Sequence, residues 1–246
     1  MKDIWYEDVL LPQDNAGAVV SKPIDSEEFS LPGSFAERQT EALNGIVRVH
    51  QPRWRLLSAE ETKRSAVQAG SRLLAVRLAF EFDLQDAAKR DGVRFVAAKC
   101  ESWLWAASAN YTQPAVYDIV PRQLNGTKPQ MVKLQFEPQI KVTDVAEVSL
   151  GSISTDLAVG VIQPKCIGFL GRESREPYWT IDPQDEALLG LRTFWMVVEM
   201  PPGCEAIRVS ARAQADARRH LGHVIPLRGR HTTRESLPSL LITPSG

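Results

Sequence analysis

Three of the four histidines, His220, His223 and His231, lie within twelve residues and could in principle bind a metal ion together with Cys204 or Asp216. Imidazole nitrogens are common ligands of zinc, copper and nickel. Four arginines at positions 218, 219, 228 and 230 would repel a cation there, and Gly222 and Pro226 disfavour a regular helix. We therefore predict a polar surface segment without a metal, and no cofactor.

Aromatic and arginine residues give the stronger candidate site. Trp103 and Trp105 are two residues apart, which places them on the same face of a strand. The charged segment 171–182 contains Arg172 and Arg175 and leads into Tyr178 and Trp179. Arginine beside tyrosine and tryptophan is enriched in protein interfaces. The sequence predicts a binding surface formed by six residues: Trp103, Trp105, Arg172, Arg175, Tyr178 and Trp179.

Three common nucleotide-binding or catalytic motifs are missing from the sequence. The sequence contains neither of the glycine-rich phosphate loops, GxxxxGK[ST] and GxGxxG, and no GxSxG nucleophile motif. Cys100, Cys166 and Cys204 are odd in number, lack CxxC spacing and adjoin apolar residues, so we expect buried free thiols. We expect a binding or assembly module and not an enzyme. An enzyme that uses His220 or His223 with an acid stays open as an alternative.

The elements that must position these residues are mostly strands. Apolar residues occupy every second position from Leu74 to Leu84, and Val132 to Glu137 alternates in the same way. Further short apolar runs follow about every ten residues, with Gly, Pro, Ser or Asp between them. This spacing predicts an antiparallel β-sandwich or barrel-like domain with strands from about 72 to 211. Capping-box patterns predict two short N-terminal helices, near 35–43 and 59–69.

Charged residues are distributed unevenly along the chain. Its 246 residues carry a formal net charge of −1, but acidic residues dominate residues 1–30 and arginines dominate 205–246. We predict an extended acidic arm over 1–33, a single β-rich domain over 34–246, and contact between the arm and the arginine-rich C-terminal segment, in the same chain or between subunits. The arm and the interface residues favour a protein partner or self-association. The small-molecule ligand is left open.

The near-neutral net charge disfavours nucleic acid as a partner. No apolar run is long enough to span a bilayer as a helix, and the N-terminus Met1-Lys2-Asp3-Ile4-Trp5 lacks the layout of a secretory signal. We therefore expect a cytoplasmic protein that does not bind a membrane. One further alternative is a pore-forming protein that inserts amphipathic β-hairpins, because Leu74 to Leu84 has the alternation of a membrane-spanning strand.

Overall fold

The computed structural model describes most of the chain. The described ranges are 4–12, 45–62, 67–124, 131–133, 135–136, 140–141, 156–158, 165–171, 174–182, 188–219, 224–231 and 233–244. Within them the protein is mainly β, and every strand pairing is antiparallel. The predicted fold class, a mainly β protein with an antiparallel, barrel-like sheet, is confirmed.

The strands vary from two to fourteen residues in length. They are β1 (Ile4–Pro12), β2 (Gly45–Leu56), β3 (Arg72–Leu84), β4 (Val93–Ala106), β5 (Ala115–Val120), β6 (Gln123–Leu124), β7 (Met131–Lys133), β8 (Gln135–Phe136), β9 (Ile140–Lys141), β10 (Asp156–Ala158), β11 (Lys165–Phe169), β12 (Tyr178–Asp182), β13 (Gly190–Met200), β14 (Ile207–Arg219), β15 (Val224–Arg228) and β16 (Leu240–Ile242). The helices are α1 (Ala59–Thr62), α2 (Asp86–Arg90) and a 3₁₀ turn at Arg234–Ser236.

One 12-stranded sheet contains most of these strands. Its order is β5-β13-β3-β2-β1-β15-β14-β4-β12-β11-β6, and β16 pairs with β14. We call β5, β13, β3, β2 and β1 the first layer, and the remaining strands the second layer. Strand β1 joins them, because Ile4 to Leu10 pair with β2 while Leu11 and Pro12 pair with β15.

The two layers pack face to face around one hydrophobic core. Phe82 of β3 contacts Phe95 of β4 edge to face, at 6.1 Å between ring centroids. Trp179 of β12 stacks on Phe194 of β13 at 4.7 Å. The inner face of β3 carries the even-numbered residues of the alternating run that starts at Leu74, and these are buried. Alternation therefore sorts apolar side chains into the core, as period-two patterns do in half-buried strands.

The sheet nearly closes on itself. Its two edge strands, β5 and β6, are consecutive in the chain and are separated only by Pro121 and Arg122. The backbone N–H of Gly168 in β11 donates to the Arg122 carbonyl (2.8 Å), and the indole N–H of Trp179 donates to the Pro121 carbonyl (3.0 Å). A Cβ at Gly168 would lie 2.6 Å from the Pro121 carbonyl oxygen, so this close approach requires glycine. These contacts give the sheet its barrel-like form.

The prediction of two N-terminal helices is not confirmed. The expected helix near 35–43 lies outside the described residues. Of the helix expected near 59–69, the described residues contain the turn Ala59–Thr62, while 67–70 are not helical and Gly70 adopts a left-handed φ of 82° just before β3. The described strands also extend beyond the predicted range 72–211, because β1, β2, β15 and β16 lie outside it.

The first part of the predicted acidic arm is strand β1. Its Asp8 is 6% exposed and accepts a hydrogen bond from the backbone N–H of Arg230 (2.8 Å). Glu7 instead forms an ion pair with Arg48 of β2 (2.8 Å). The N-terminal segment thus contacts the arginine-rich C-terminal segment within one chain, although through a backbone donor and not through a guanidinium. The domain boundary at residue 33 stays a prediction, since residues 13–44 are outside the described part.

Candidate functional site

Three of the predicted site residues lie on the outer face of the second layer. Trp103 and Trp105 alternate with buried Leu104 and Ala106 along β4, so their rings lie on the face away from the core. Tyr178 of β12 pairs with Glu101 of β4 and shares this face. The alternation predicted from the sequence therefore brings these rings onto one surface, which we call the aromatic face.

Each of the three rings has a cation over it. The Arg212 guanidinium lies 4.9 Å from the centre of the Trp103 ring, and that of Arg234 lies 4.3 Å from the centre of the Trp105 ring. The Lys99 ammonium lies 4.5 Å from the centre of the Tyr178 ring. Such pairs contribute about 0.5–1 kcal/mol each when exposed. Each pair therefore favours the observed orientation of its ring. Tyr178 also stacks on Phe169, which is 40% exposed.

Glu101 connects these cations. Its carboxylate accepts from Lys99 Nζ (2.6 Å), Arg212 Nε (2.8 Å) and Gln214 Nε2 (3.2 Å). Burial raises the pKa of Glu101, but the hydrogen bonds from Lys99 and Arg212 outweigh burial and lower the pKa overall. The carboxylate is therefore charged at neutral pH. It fixes the positions of the two cations that lie over Tyr178 and Trp103.

A groove of about 560 Å³ adjoins the aromatic face. It crosses β4, β12, β14 and β15, and its polar lining consists of Lys99, Thr180, Asp182, Gln214, Asp216 and Arg228. Arg228 Nη1 donates to Asp216 Oδ1 (3.0 Å). The groove is therefore lined by side chains of both charges together with apolar side chains.

The remaining predicted site residues, Trp179, Arg175 and Arg172, are not part of the three ring–cation pairs. Trp179 is fully buried in the core, where it packs on Phe194, so it cannot anchor a partner at the surface. The Arg175 loop is next to β4, because its carbonyl accepts from the Leu104 N–H (3.0 Å), and its guanidinium reaches Gln113 (3.4 Å). Arg172 lies outside the described residues. The predicted aromatic and arginine surface stays a prediction.

The histidine candidates do not assemble in the described part of the chain. His220 and His223 lie outside it, and His231 packs edge to face against Tyr6 at 5.4 Å. In the ranges that the structure describes, no group of three or more His, Cys, Asp or Glu residues could hold a metal ion.

The three cysteines are free and buried, as predicted. Burial raises the pKa of each thiol, that of Cys166 to about 12. These thiols stay protonated at neutral pH and are poor nucleophiles.

A second candidate site is the segment between β6 and β11. At its base, Gln123 and Leu124 pair with Ile167 and Cys166. Farther along, β7 pairs with β10, with Lys133 opposite Asp156 and Met131 opposite Ala158. An unshifted hairpin that starts from Leu124 and Cys166 would place Lys133 opposite Leu157, so the observed register differs by one residue. Six residues, 125–130, separate the two ladders on one side, and seven residues, 159–165, separate them on the other.

The described strands of this segment also contact the body of the protein. Strands β8 and β9 form a local antiparallel pair, in which Phe136 is opposite Ile140. Strand β9 contacts helix α1, and β8 contacts the edge strand β5. The pair therefore lies against the β5 side of the first layer.

Sequence reasoning predicted strands in this segment but did not select it as the part suited to insertion. Leu157, Val159 and Val161 are apolar and alternate with Asp156, Ala158 and Gly160, which mirrors the alternation of Val132 to Glu137. The prediction instead selected Leu74 to Leu84 as the strand suited to insertion. That run is β3, which pairs with β2 and β13 in the middle of the first layer, so it is not free to insert.

Comparisons with known proteins were made for the whole chain. No protein-family model matches it, and no curated protein matches its sequence. Among the described residues, no helix is both long and apolar enough to cross a membrane.

Solved structures that resemble the fold include three of related description. One is entitled "Pore forming protein" (TM-score 0.38, 8% identity, covering 82% of this chain and 89% of the other). Another is the NetB toxin of Clostridium perfringens in its membrane-inserted form (TM-score 0.35, 6% identity, 76% and 84%). A third is the delta-toxin of Clostridium perfringens (TM-score 0.31, 9% identity, 80% and 88%). These values are low, so the function must be argued from this chain itself. The expectation that the protein does not bind a membrane finds no support in these comparisons.

Proposed function

We propose that this protein is a pore-forming protein that inserts residues 125–164 into a membrane as a β-hairpin. The observation that carries the proposal is the pairing of β7 with β10 in nearly the register set by β6 and β11 at the edge of the sheet. One long hairpin therefore needs only a one-residue adjustment between its two ladders. A β-bulge provides such an adjustment.

The length and pattern of the segment support insertion. A membrane-spanning β-strand needs about 9–11 residues with alternating apolar and polar side chains. Residues 125–164 provide enough chain for two such strands, and both sides alternate around β7 and β10. Pro138 is tolerated near a strand edge or a bulge.

Insertion requires self-association. A single hairpin in a bilayer leaves its edge N–H and C=O groups without hydrogen-bond partners, so membrane strands occur in closed barrels. Small barrels contain about eight strands, so about four or more copies would have to contribute hairpins. The expected partners are thus further copies of this chain and a lipid bilayer. The cytoplasmic location predicted from the sequence stays a prediction.

The test is release of a dye from phosphatidylcholine vesicles by the full-length protein. Val132 and Leu157 are cross-strand partners and would face lipid together. We expect Val132→Asp with Leu157→Asp to reduce the leakage rate at least about tenfold, because charges on the lipid face of a membrane strand are unfavourable.

The matched control changes the neighbouring cross-strand pair, Lys133 and Asp156, which would face the channel. Lys133→Gln with Asp156→Asn should leave the leakage rate within about twofold of the unchanged protein. No leakage from the unchanged protein, or equal rates for both double variants, would contradict the proposal.

The aromatic face favours a second candidate function, a module that binds a protein partner. Its three cation–aromatic pairs present rigid rings at the surface, as interface residues often do. A module of this kind would leave vesicles intact, so the leakage experiment separates the two functions.

A further inference from the structure

The groove beside the aromatic face lies on the outer face of the second layer. Thr180 of β12 is the cross-strand partner of Lys99 of β4, and Lys99 is the partner of Gln214 of β14. Ala97 of β4 is opposite Asp216 of β14, and its side chain is only a methyl group, so the sheet is low at this point. The groove holds about 560 Å³, a volume within the range of small-molecule sites, about 300–1,000 Å³.

The charged side chains of the groove neutralise one another. Among the described residues that line it, Lys99 and Arg228 are cations, and Asp182 and Asp216 are carboxylates. Lys99 Nζ lies 2.6 Å from Glu101 Oε1, and Arg228 Nη1 donates to Asp216 Oδ1 (3.0 Å). Because the two signs balance, an ion of either sign gains little electrostatic attraction in the groove.

The same side chains keep hydrogen-bonding groups that can reach a ligand. Asp216 and Arg228 are each about one third exposed, and their contact uses only Oδ1 of the carboxylate and Nη1 of the guanidinium. Gln214 donates through Nε2 to Glu101 (3.2 Å), which leaves its carbonyl oxygen as an acceptor. The described part of the groove therefore presents acceptors and donors side by side.

An exposed pair of aromatic rings lies at one end of the groove. Ile167 and Thr180 line the groove as cross-strand partners, and Phe169 and Tyr178 are the next pair on the same face of β11 and β12. The two rings stack at 4.7 Å with 16° between their planes, and Phe169 is 40% exposed. The apolar surface of Phe169 is therefore open to a ligand that extends from the groove.

The backbone of the sheet argues against an extended peptide as the occupant. Strand β4 pairs with β12 along one side and with β14 along the other. Its N–H and C=O groups are thus directed to neighbouring strands, and a peptide cannot bind here by strand addition, which needs a free sheet edge. An occupant must bind to the side chains that project from the face.

We propose that this groove binds a neutral oligosaccharide. Each sugar hydroxyl can donate and accept a hydrogen bond, so neighbouring hydroxyls can pair with the Asp216 or Gln214 oxygens and with the Arg228 guanidinium. The C–H groups of sugar rings are apolar and fit Ala97 and the exposed ring of Phe169. The balanced charge of the lining matches a ligand without charge. This site does not depend on the proposed membrane insertion.

The first experiment is binding of the fluorescently labelled full-length protein to an array of immobilised oligosaccharides, some neutral and some sialylated or sulfated. We expect binding to a subset of the neutral oligosaccharides, because the lining has no net charge to attract an anion. No binding to the array, or binding confined to the sialylated and sulfated members, would overturn the proposal.

Two substitutions test whether the groove is the site. Gln214→Ala removes the free amide oxygen and should weaken the affinity for the preferred oligosaccharide about threefold to tenfold, as measured by isothermal titration calorimetry. Ala97→Leu fills the low part of the groove and should weaken the affinity at least about tenfold, because the larger side chain takes the place of the ligand. Urea unfolding checks that each variant is folded, and Gln214→Ala decides if Ala97→Leu is not.

The matched control is Gln51→Ala, since Gln51 is an exposed glutamine of β2 in the first layer. This variant should bind the oligosaccharide as the unchanged protein does. Equal weakening by Gln51→Ala and Gln214→Ala, or unchanged affinity in every folded groove variant, would overturn the proposal. Leakage from vesicles of phosphatidylcholine alone offers no oligosaccharide, so its outcome is independent of this site.

The oligosaccharide can be free or attached to a membrane lipid. Sedimentation with phosphatidylcholine vesicles that carry the preferred oligosaccharide on a neutral glycolipid distinguishes the two sources. Vesicle binding that the free oligosaccharide competes for, and that Gln214→Ala weakens, identifies the attached form. Binding of the free oligosaccharide without vesicle binding identifies the free form. Both results support the site, and failure of both probes to bind overturns it.

Discussion

Trp179 and Trp105 were predicted as members of one binding surface, yet their environments are opposite. Trp179 is fully buried, stacks on Phe194 and donates its indole N–H to the Pro121 carbonyl. Trp105 is half-buried on the outer face, under the guanidinium of Arg234. The first ring therefore stabilises the closure of the sheet, and the second belongs to the surface.

Replacement of each tryptophan by phenylalanine tests this difference. Trp179→Phe leaves the Pro121 carbonyl without its donor and removes buried ring volume, so we expect a loss of about 2–4 kcal/mol in the free energy of unfolding. Trp105→Phe keeps a ring beneath Arg234 and should cost less than about 1 kcal/mol. Urea unfolding monitored by circular dichroism measures both. Equal losses would show that Trp179 has no special role in closure.

At the scale of elements, the single turn α1 shows what a short sequence motif can and cannot specify. The predicted capping box at Ser58–Glu61 is present: the Ser58 N–H donates to Glu61 Oε2 (2.8 Å), and the Glu61 N–H donates to Ser58 Oγ (3.3 Å). The described part of the helix nevertheless has four residues, and the chain is no longer helical at residues 67–70. A capping motif marks where a helix begins, but helix length depends on apolar residues that pack along one side.

The pH dependence of stability tests the role of Glu61. Burial raises the pKa of Glu61, but the hydrogen bonds from Arg55 and Ser58 outweigh it and lower the pKa to about 2. The folded state therefore binds a proton less readily than the unfolded state. This contribution is fully present above pH of about 4.5 and is lost as the pH falls toward 2.

We expect Glu61→Gln to lower the free energy of unfolding by roughly 2 kcal/mol at pH 7 and by much less near pH 2. Urea unfolding at the two pH values measures the difference. The matched control is Glu7→Gln, since Glu7 forms an exposed pair with Arg48 that should contribute little at either pH. A loss at Glu61 that is the same at both pH values would contradict the assignment.

The strands were easier to predict from the sequence than their partners. Local alternation identified β3 because its even-numbered residues face the core. Nothing local indicates that β3 pairs on one side with the preceding strand β2 and on the other with β13, which lies far along the chain. The same limit explains the aromatic face: spacing placed Trp103 and Trp105 on one side of β4, but Arg212 and Arg234 reach them only through pairing of distant strands and through the C-terminal turn.

At the scale of the whole molecule, strand β1 joins the two layers into one sheet. Residues 4–12 looked like the start of a charged arm, because Glu7 and Asp8 interrupt the apolar residues. Both acids are accommodated in the fold, Glu7 by Arg48 and Asp8 by the backbone N–H of Arg230. Gly229 makes room for the Asp8 carboxylate, since a Cβ there would lie 1.9 Å from its Oδ2 atom. Strand β1 therefore fills the position between β2 and β15 and joins the two layers.

Removal of residues 1–12 tests this position. The truncated chain would expose the free edges of β2 and β15 and lose the buried Leu10, so we expect it to lose its cooperative thermal unfolding. A synthetic peptide of residues 1–12 should restore the transition, whereas the same peptide with Leu10→Asp should not, because an unpaired charge would enter the core. Differential scanning calorimetry of the truncated chain alone and of its two mixtures with peptide measures the outcome. Cooperative unfolding of the truncated chain at an unchanged temperature would show that the N-terminal segment is an arm after all.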